Sequence, residues 1–348
     1  MNVYVNAYLA NNLGDDLFIK ILTERYKNHK FYSISKGFKN YTKNNLKVYS
    51  NPYIFRILKK FQLEKYLANR FDLVVTIGGS MYIENNDSDR DFSLGKNKYF
   101  ILGSNFGPYK TQKYFDNLYG VFKNAEDVCF RERYSYELFK KLPNVRYASD
   151  IVFNLDTKNI KNTNRKRVIF SIISCEYKMR QEYEEAYEEK IIEMIKFYAK
   201  KGYEICLMSF CKIERDEEAI EKILEKCPED LKENIKTYYY NRNLEEALDI
   251  IGDSQIMVAS RFHANIIALL LGKRVITLSY SDKTKHVLED IGLNSNMIDI
   301  KEIKDFNIEE NEALLLEKPK SEIEAKIVNA INDSKKHFEK LDKILGRE

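Results

Sequence analysis

The sequence predicts an α/β protein made of two Rossmann-like domains, and three observations predict it. Strand-like and helix-like segments alternate along nearly the whole chain, the pattern of βα units and parallel sheets. At 348 residues the chain is long for one hydrophobic core, and a prior of about 150 residues per domain gives two. A polar stretch at 156–166 separates two series of βα units. The expected bounds are therefore 1–155 for the first domain, 156–166 for a linker, 167–305 for the second domain and 306–348 for a helical tail.

The first series opens with a strand at 2–8, a polar turn Asn11-Asn12-Leu13-Gly14-Asp15-Asp16, and an amphipathic helix over 17–29. Residues 72–77, apolar at Leu73, Val74, Val75 and Ile77, read as a strand buried on both faces and end in Gly78-Gly79-Ser80. Strands at 99–102 and 127–130 end in Gly103-Ser104-Asn105-Phe106-Gly107-Pro108 and in Arg131-Glu132-Arg133. The second series predicts strands at 167–173, 203–208, 237–240, 255–259 and 275–278, with helices over 182–200, 215–226 and 244–251. Residues 321–345 read as one long charged helix. In each series the unusual residues fall just past the carboxyl end of a strand, where α/β sheets bind ligands. Two Rossmann-like halves facing a cleft form the architecture called GT-B.

Composition narrows the function classes. With 44% hydrophobic and 32% charged residues the chain is globular rather than disordered. A net charge of +4, from 57 basic against 53 acidic residues, is too balanced to point to a nucleic-acid partner. Cys129, Cys175, Cys206, Cys211 and Cys227 are scattered and form no CxxC pair, so neither a metal site nor a disulfide framework is expected, and a reducing compartment is. The residues after Met1 enter a strand directly, without a basic region followed by an apolar run, and no segment approaches a spanning helix. The expected location is cytoplasmic. Residues 53–70 form a basic amphipathic helix; such a helix packs on a sheet with its lysines in water, or lies on an anionic membrane as a peripheral contact at the inner face.

The segment with most chemistry is Ser260-Arg261-Phe262-His263-Ala264-Asn265, placed where a strand ends and a helix begins. A helix N-terminus favours an anion, Arg offers a planar fork of donors, and His moves a proton near neutral pH. The other reading is a packed, hydrogen-bonded His and an Arg in a structural ion pair. Of the four His, three (His29, His286 and His337) lie in charged surroundings of the kind found at a surface, which puts the weight on His263. Lys283 follows the next strand and is placed for phosphate. Arg131 and Arg133 offer a second anion contact, or pair with Glu132 or Glu137. Gly78 and Gly79 let a ligand approach the backbone, yet do not complete the spaced glycines of a dinucleotide loop. Asn12 and Asp15 lie in a turn that places amides and a carboxylate at a helix start, which plain capping also explains. Asn105 sits in a tight turn before Gly107-Pro108. Cys175 reads as a packing thiol, and the acidic run from Glu182 to Glu189 as a solvated helix face.

In order and spacing these motifs resemble the polysaccharide pyruvyl transferase family, over roughly residues 2–293. The parts that match are Asn12-Leu13-Gly14-Asp15-Asp16, Ile77-Gly78-Gly79, Gly103 to Pro108, Arg131 to Ser135, Asp150-Ile151-Val152-Phe153, Ser260 to Ala264, and Lys283 with Leu288 to Leu293. Ser80 departs from the third Gly the family often carries. The resemblance implies transfer of a pyruvyl group from phosphoenolpyruvate to two hydroxyls of a sugar, giving a ketal in a cell-surface glycan. It implies an acceptor that is lipid-linked, nucleotide-linked or free, taken by the first domain, and a donor taken by the second. His263 and Arg261 then become the catalytic pair. Lys283, Ser260, Arg131, Arg133, Asn105, Gly78, Gly79, Asp15 and Asn12 become the substrate contacts. Phosphoenolpyruvate is a co-substrate in this scheme, and no metal or other cofactor is required. The rival is a GT-B glycosyltransferase using a nucleotide sugar in surface-glycan assembly.

Overall fold

A computed structural model describes residues 1–35, 41–43, 45–51, 53, 56–58, 64–84, 98–176, 181–294, 297–317 and 319–346. The chain forms two compact units: Met1–Ala10, Leu17–Asn154 and Ile331–Glu348 make the first, and Asn11–Asp16 with Leu155–Ala330 the second.

The first unit is built on an eight-stranded sheet. Its strands are β1 (Asn2–Asn6), β2 (Lys30–Ser35), β3 (Tyr41–Lys43), β4 (Leu46–Ser50), β5 (Leu73–Ile77), β6 (Tyr99–Ser104), β7 (Asp127–Phe130) and β8 (Val145–Tyr147), in the order β3-β4-β2-β1-β5-β6-β7-β8. All neighbours are parallel except the β3–β4 pair. β5 is buried at every residue because helices cover both faces of a parallel sheet. The helix Gln112–Lys123 lays Tyr114, Leu118 and Phe122, one per turn, into the core formed with Val74, Ile101, Val128 and Phe130. The order reverses between β1 and β5, so Gly78-Gly79 leave the sheet at its switch point.

The predicted single helix over 321–345 is broken. It runs Lys320–Ser334, tightens to a 3-10 turn at Lys335–Phe338 and resumes at Glu339–Leu345. Ser334 Oγ donates back to the Ile331 carbonyl at 2.8 Å, a bond that bends helices, and His337 and Phe338 turn into the first unit, both 0% exposed. The end of the chain is latched there. Asp342 accepts from Arg25 Nε at 2.8 Å and Tyr26 OH at 2.7 Å, and Asp333 accepts from Ser149 N at 2.7 Å. The expected tail 306–348 is thus divided, its last part packing with the first unit and the rest with the second.

His337 is not at a charged surface. Its Nε2 lies 2.9 Å from the Ser149 carbonyl, and burial together with the Arg146 charge pushes its pKa down to about 3. The sign follows: the unfolded chain, with an ordinary value of 6.5, binds the proton more tightly. The contribution of His337 is fully present above about pH 6.5 and is lost by about 1.4 kcal/mol per pH unit as the pH falls toward 3. A urea midpoint measured at pH 7 and pH 5 should therefore drop more in the native chain than in His337→Gln; equal drops would contradict this assignment.

The second unit carries six parallel strands, β9 (Arg167–Ser171), β10 (Glu204–Ser209), β11 (Ile235–Tyr239), β12 (Ile256–Ala259), β13 (Arg274–Ser279) and β14 (Met297–Asp299), in the order β11-β10-β9-β12-β13-β14. The chain winds outward from β9 to β11, then returns to place β12 beside β9, with Ala259 paired to Ser171. That adjacency is the switch point of this sheet, and the helix Phe262–Leu270 starts there. Val168, Phe170, Val258 and Ile276 pack against Ile191, Ile195 and Tyr198 of the helix Glu184–Lys200.

Residues 156–166 are not a free linker. Lys161 N donates to Asp249 at 2.8 Å, Thr163 N to the Gly252 carbonyl at 3.0 Å, and the buried Lys273 ammonium to the carbonyls of Thr163 and Gly252 at 2.6 Å each. The polarity that reads as a linker serves to pin this segment to the second unit. Among the described residues no helix is long and apolar enough to cross a membrane. Of the expected basic helix over 53–70, Glu64–Ala68 is helical and Tyr53, Ile57 and Tyr66 are exposed, while residues 54, 55 and 59–63 lie outside the described residues.

Candidate functional site

The Arg–x–His segment is fastened before it does anything else. At the end of β9, Ser171 Oγ accepts from Ser260 N at 3.0 Å and Arg261 N at 3.1 Å. Ser260 is buried and its hydroxyl bonds Tyr187 OH at 2.8 Å, so it holds the loop rather than facing solvent. Asn265 donates to the Arg261 and Phe262 carbonyls at 3.1 and 3.3 Å and accepts from Thr277 Oγ1 at 2.6 Å, tying the helix to β13. Arg261 is the N-cap residue with extended backbone, which puts His263 in the first turn of the helix, where the helix dipole favours negative charge.

Arg261 differs from the expected open fork. It is buried, its Nε donates to Asp216 at 2.9 Å and its Nη2 to the other Asp216 oxygen, while Nη1 donates to Glu214. Burial works against the charged guanidinium, but the Asp216 and Glu214 charges outweigh it and hold the Arg261 pKa well above its ordinary value. The same burial pushes the Asp216 carboxyl up against the pull of Arg261. The bidentate geometry, with two backbone amides also on Asp216, is that of an ionised pair.

His263 is half-buried against Gly14. A Cβ built on Gly14 would fall 1.8 Å from His263 Nδ1, so only glycine fits beside the ring. The turn that brings Gly14 there is itself anchored. Asn12 Oδ1 accepts from Gly14 N at 3.0 Å and Asp15 N at 3.4 Å, which makes Asn12 a capping residue of the helix Leu13–Arg25. Asn12 forms a β-bridge with Cys211, Leu13 N donates to the Phe210 carbonyl at 3.0 Å, and Tyr240 OH donates to Asp16 at 2.6 Å. Asp15 is half-buried in the same turn.

Lys283 is the second residue of the helix Asp282–Asp290 and half-buried, with Nζ 6.0 Å from the Tyr280 ring centre. A cation in the first turn opposes the helix dipole, a small cost.

The first unit brings together a separate cluster. Arg131, 1% exposed, donates from Nη1 to Asp150 at 3.0 Å and from Nη2 to Asn105 Oδ1 at 2.8 Å. Its guanidinium lies flat on Gly79, where a Cβ would fall 2.4–2.5 Å from Nη1, Cζ and Nη2. Gly79 is therefore small to admit Arg131, which corrects its reading as ligand clearance. Gly78 has φ 146, its carbonyl accepts from Ser104 Oγ at 2.8 Å, and Asn105 N donates to the Gly79 carbonyl at 2.8 Å. Glu132 caps the helix Arg133–Phe139, accepting from Ser135 N at 3.2 Å. Arg133 is exposed and lies over the Tyr147 ring at 5.2 Å. Cys175 is a buried thiol of the second core, and Glu188, expected on a solvated face, is buried and paired with Lys226 at 2.5 Å.

The model of the polysaccharide pyruvyl transferase family matches residues 12–282, from the turn that seats His263 to the residue before Lys283. The chain belongs to that family. The pyruvyl transferase family model takes in Gly14, Gly79, Arg131, Asp150, Asp216, Arg261 and His263 alike. A relative, the amylovoran biosynthesis protein AmsJ of Erwinia amylovora, is 19% identical over 270 residues, 69% of this chain and 64% of that protein. The match thus spans less than two thirds of that relative. Among solved structures, UDP-GlcNAc 2-epimerase from Methanocaldococcus jannaschii superposes with a TM-score of 0.59 at 11% identity, covering 99% of this chain and 98% of that one. The Anabaena protein HepE in complex with UDP-glucose gives 0.60 at 10% identity, covering 98% and 99%. At such identities the likeness shows the fold, a GT-B-like pair of parallel-sheet α/β domains.

Proposed function

We propose that this family member transfers the pyruvyl group of phosphoenolpyruvate to two hydroxyls of a saccharide, releasing inorganic phosphate and leaving a cyclic ketal, in the assembly of a surface polysaccharide. The observation that carries the reading is His263 in the first turn of a helix at the switch point of the second sheet, seated on Gly14.

The chemistry balances with the groups present. The first sugar hydroxyl adds to C2 of the enol while C3 gains a proton and becomes a methyl. The second hydroxyl adds to the same carbon, phosphate leaves with the electron pair of its C–O bond, and the hydroxyl proton goes to solvent or phosphate. His263 takes the proton from the attacking hydroxyl or delivers one to C3, acid–base work that an imidazole does near neutral pH. Lys283 and the amides opening the helix Phe262–Leu270 meet the charge on the departing phosphate. Arg261 and Ser260 shape the loop that presents His263. The acceptor is assigned to the first unit, with the exposed Arg133 as its charged contact, while Arg131, Asn105, Gly78 and Gly79 shape the backbone beside it.

Calorimetric titration with phosphoenolpyruvate, and in parallel with UDP- and GDP-sugars, tests this reading. Saturable binding of phosphoenolpyruvate that Lys283→Ala weakens by about tenfold is expected. Binding of nucleotide sugars alone would replace the reading with nucleotide-sugar glycosyl transfer.

Gly14→Ala supplies a second check. The added methyl must displace the imidazole, so turnover should fall about 100-fold with the melting temperature nearly unchanged. Native turnover in that variant would detach His263 from its seat on Gly14.

A further inference from the structure

The positive charge of the chain is gathered in one stretch. Residues 27–70 hold 11 basic residues and one acidic, a net +10, while the rest of the chain holds 46 and 52, a net −6. The total of +4 thus conceals a strongly basic region in an otherwise acidic protein. The described part of that stretch builds one edge of the first sheet: β3, β4 and β2 lie outermost, and the helix Glu64–Ala68 follows them. Lys27, Lys30, Lys47, Arg56 and Arg70 are all exposed.

The same edge exposes apolar surface. In β4 Leu46 and Val48 are buried, so Lys47 and Tyr49 share the other face, with the Lys47 ammonium 4.9 Å from the Tyr49 ring centre. Tyr32 and Ile34 of β2 stand in register with them on that face, and Phe71 covers Tyr32 with ring centres 5.3 Å apart. Tyr53, 78% exposed, and Ile57, 51% exposed, stand one helical turn apart with Arg56 between them. Among the described residues, four of the nine exposed large apolar side chains, Tyr49, Tyr53, Ile57 and Tyr66, fall in this stretch. Cations and apolar side chains therefore share one surface.

We infer that this edge of the first unit docks on an anionic lipid surface, with Tyr53, Ile57 and Tyr66 at the boundary of headgroups and acyl chains and the cations on the headgroups. Two features choose lipid over a nucleic acid, the other large polyanion. Ile57 offers no ring for a base to stack on, whereas an acyl boundary takes up an aliphatic side chain beside a tyrosine. Tyrosine also suits a surface that is apolar on one side and wet on the other. No described helix is long and apolar enough to cross a membrane, so the contact is a surface one. The inference stands apart from the choice of donor and acceptor.

The test sediments the full chain with vesicles of phosphatidylcholine alone and of an equal mixture of phosphatidylcholine and phosphatidylglycerol. Binding to the anionic vesicles should be about 100-fold tighter and should weaken steeply as sodium chloride is added. Lys47→Ala and Arg56→Ala should each weaken it by about fivefold. Tyr53→Ser combined with Ile57→Ser should weaken it by about tenfold and leave its salt dependence in place. Every altered side chain is exposed, so urea midpoints should not move. Equal binding to the two vesicles, no binding to either, or binding that none of these substitutions weakens overturns the inference. A preference for a random-sequence DNA duplex over anionic vesicles, unaffected by Tyr53→Ser with Ile57→Ser, also overturns it and gives the surface to a nucleic acid.

Discussion

Replacing His263 with alanine is expected to slow pyruvyl transfer by about 10²–10⁴-fold and to leave phosphoenolpyruvate binding within a few-fold of native. The two effects separate because His263 is assigned proton transfer, whereas the anion is assigned to Lys283 and the start of the helix Phe262–Leu270. The ring has a defined place, against Gly14 on one side and edge-on to Phe262 at 4.8 Å on another, so its loss removes a positioned group rather than a mobile one. Phosphate release from phosphoenolpyruvate in the presence of acceptor, set beside calorimetric binding, measures both quantities. Near-native turnover in His263→Ala would show that the proton moves elsewhere.

The largest expected effect on stability belongs to the first unit. Asp150→Ala or Arg131→Ala should each cost about 3–5 kcal/mol, because either leaves a buried charge without its partner. Both groups are at most 1% exposed and lie 3.0 Å apart, and Arg131 is further held by Asn105 and by the flat face of Gly79. Burial already pushes the Asp150 carboxyl above its ordinary value, with the Arg131 charge opposing. Without Arg131, Asp150 would take up a proton before remaining charged. Arg131→Met combined with Asp150→Leu should recover much of the loss, since an apolar pair carries no stranded charge. Urea unfolding of the two single variants and the double variant measures this, and additive losses in the double variant would contradict a coupled buried pair.

Much of this fold is legible in the sequence because buried parallel strands have to be apolar along their length. Residues 72–77, 127–130 and 255–259 are read as strands on that ground, and β5, β7 and β12 lie there. Strand ends are legible for the same reason: glycines and charged residues cannot continue a buried strand, so Gly78-Gly79, Arg131 and Arg261 stand out. What those residues do there is less legible. Asp216 falls in the first turn of the helix expected over 215–226, yet it follows β10, which lies next to β9, which lies next to β12, and that adjacency brings it to Arg261. A lone Gly pair suggests clearance for a ligand, but the space beside Gly79 is filled by Arg131, a residue far along the chain. The break in the final helix is set by where His337 and Phe338 bury, which no local periodicity records. The pinning of residues 156–166 depends on Lys273, more than a hundred residues away by sequence.

The central claim is that the chain moves a pyruvyl group from phosphoenolpyruvate to a saccharide. Incubating it with phosphoenolpyruvate and saccharide acceptors on lipid and nucleotide carriers, then recording acceptor mass and free phosphate together, tests that claim most directly. The account predicts an acceptor heavier by pyruvate less one water, with one phosphate released for each product and neither change in His263→Ala. An acceptor left unchanged by phosphoenolpyruvate but extended by a sugar from a UDP- or GDP-sugar would contradict it.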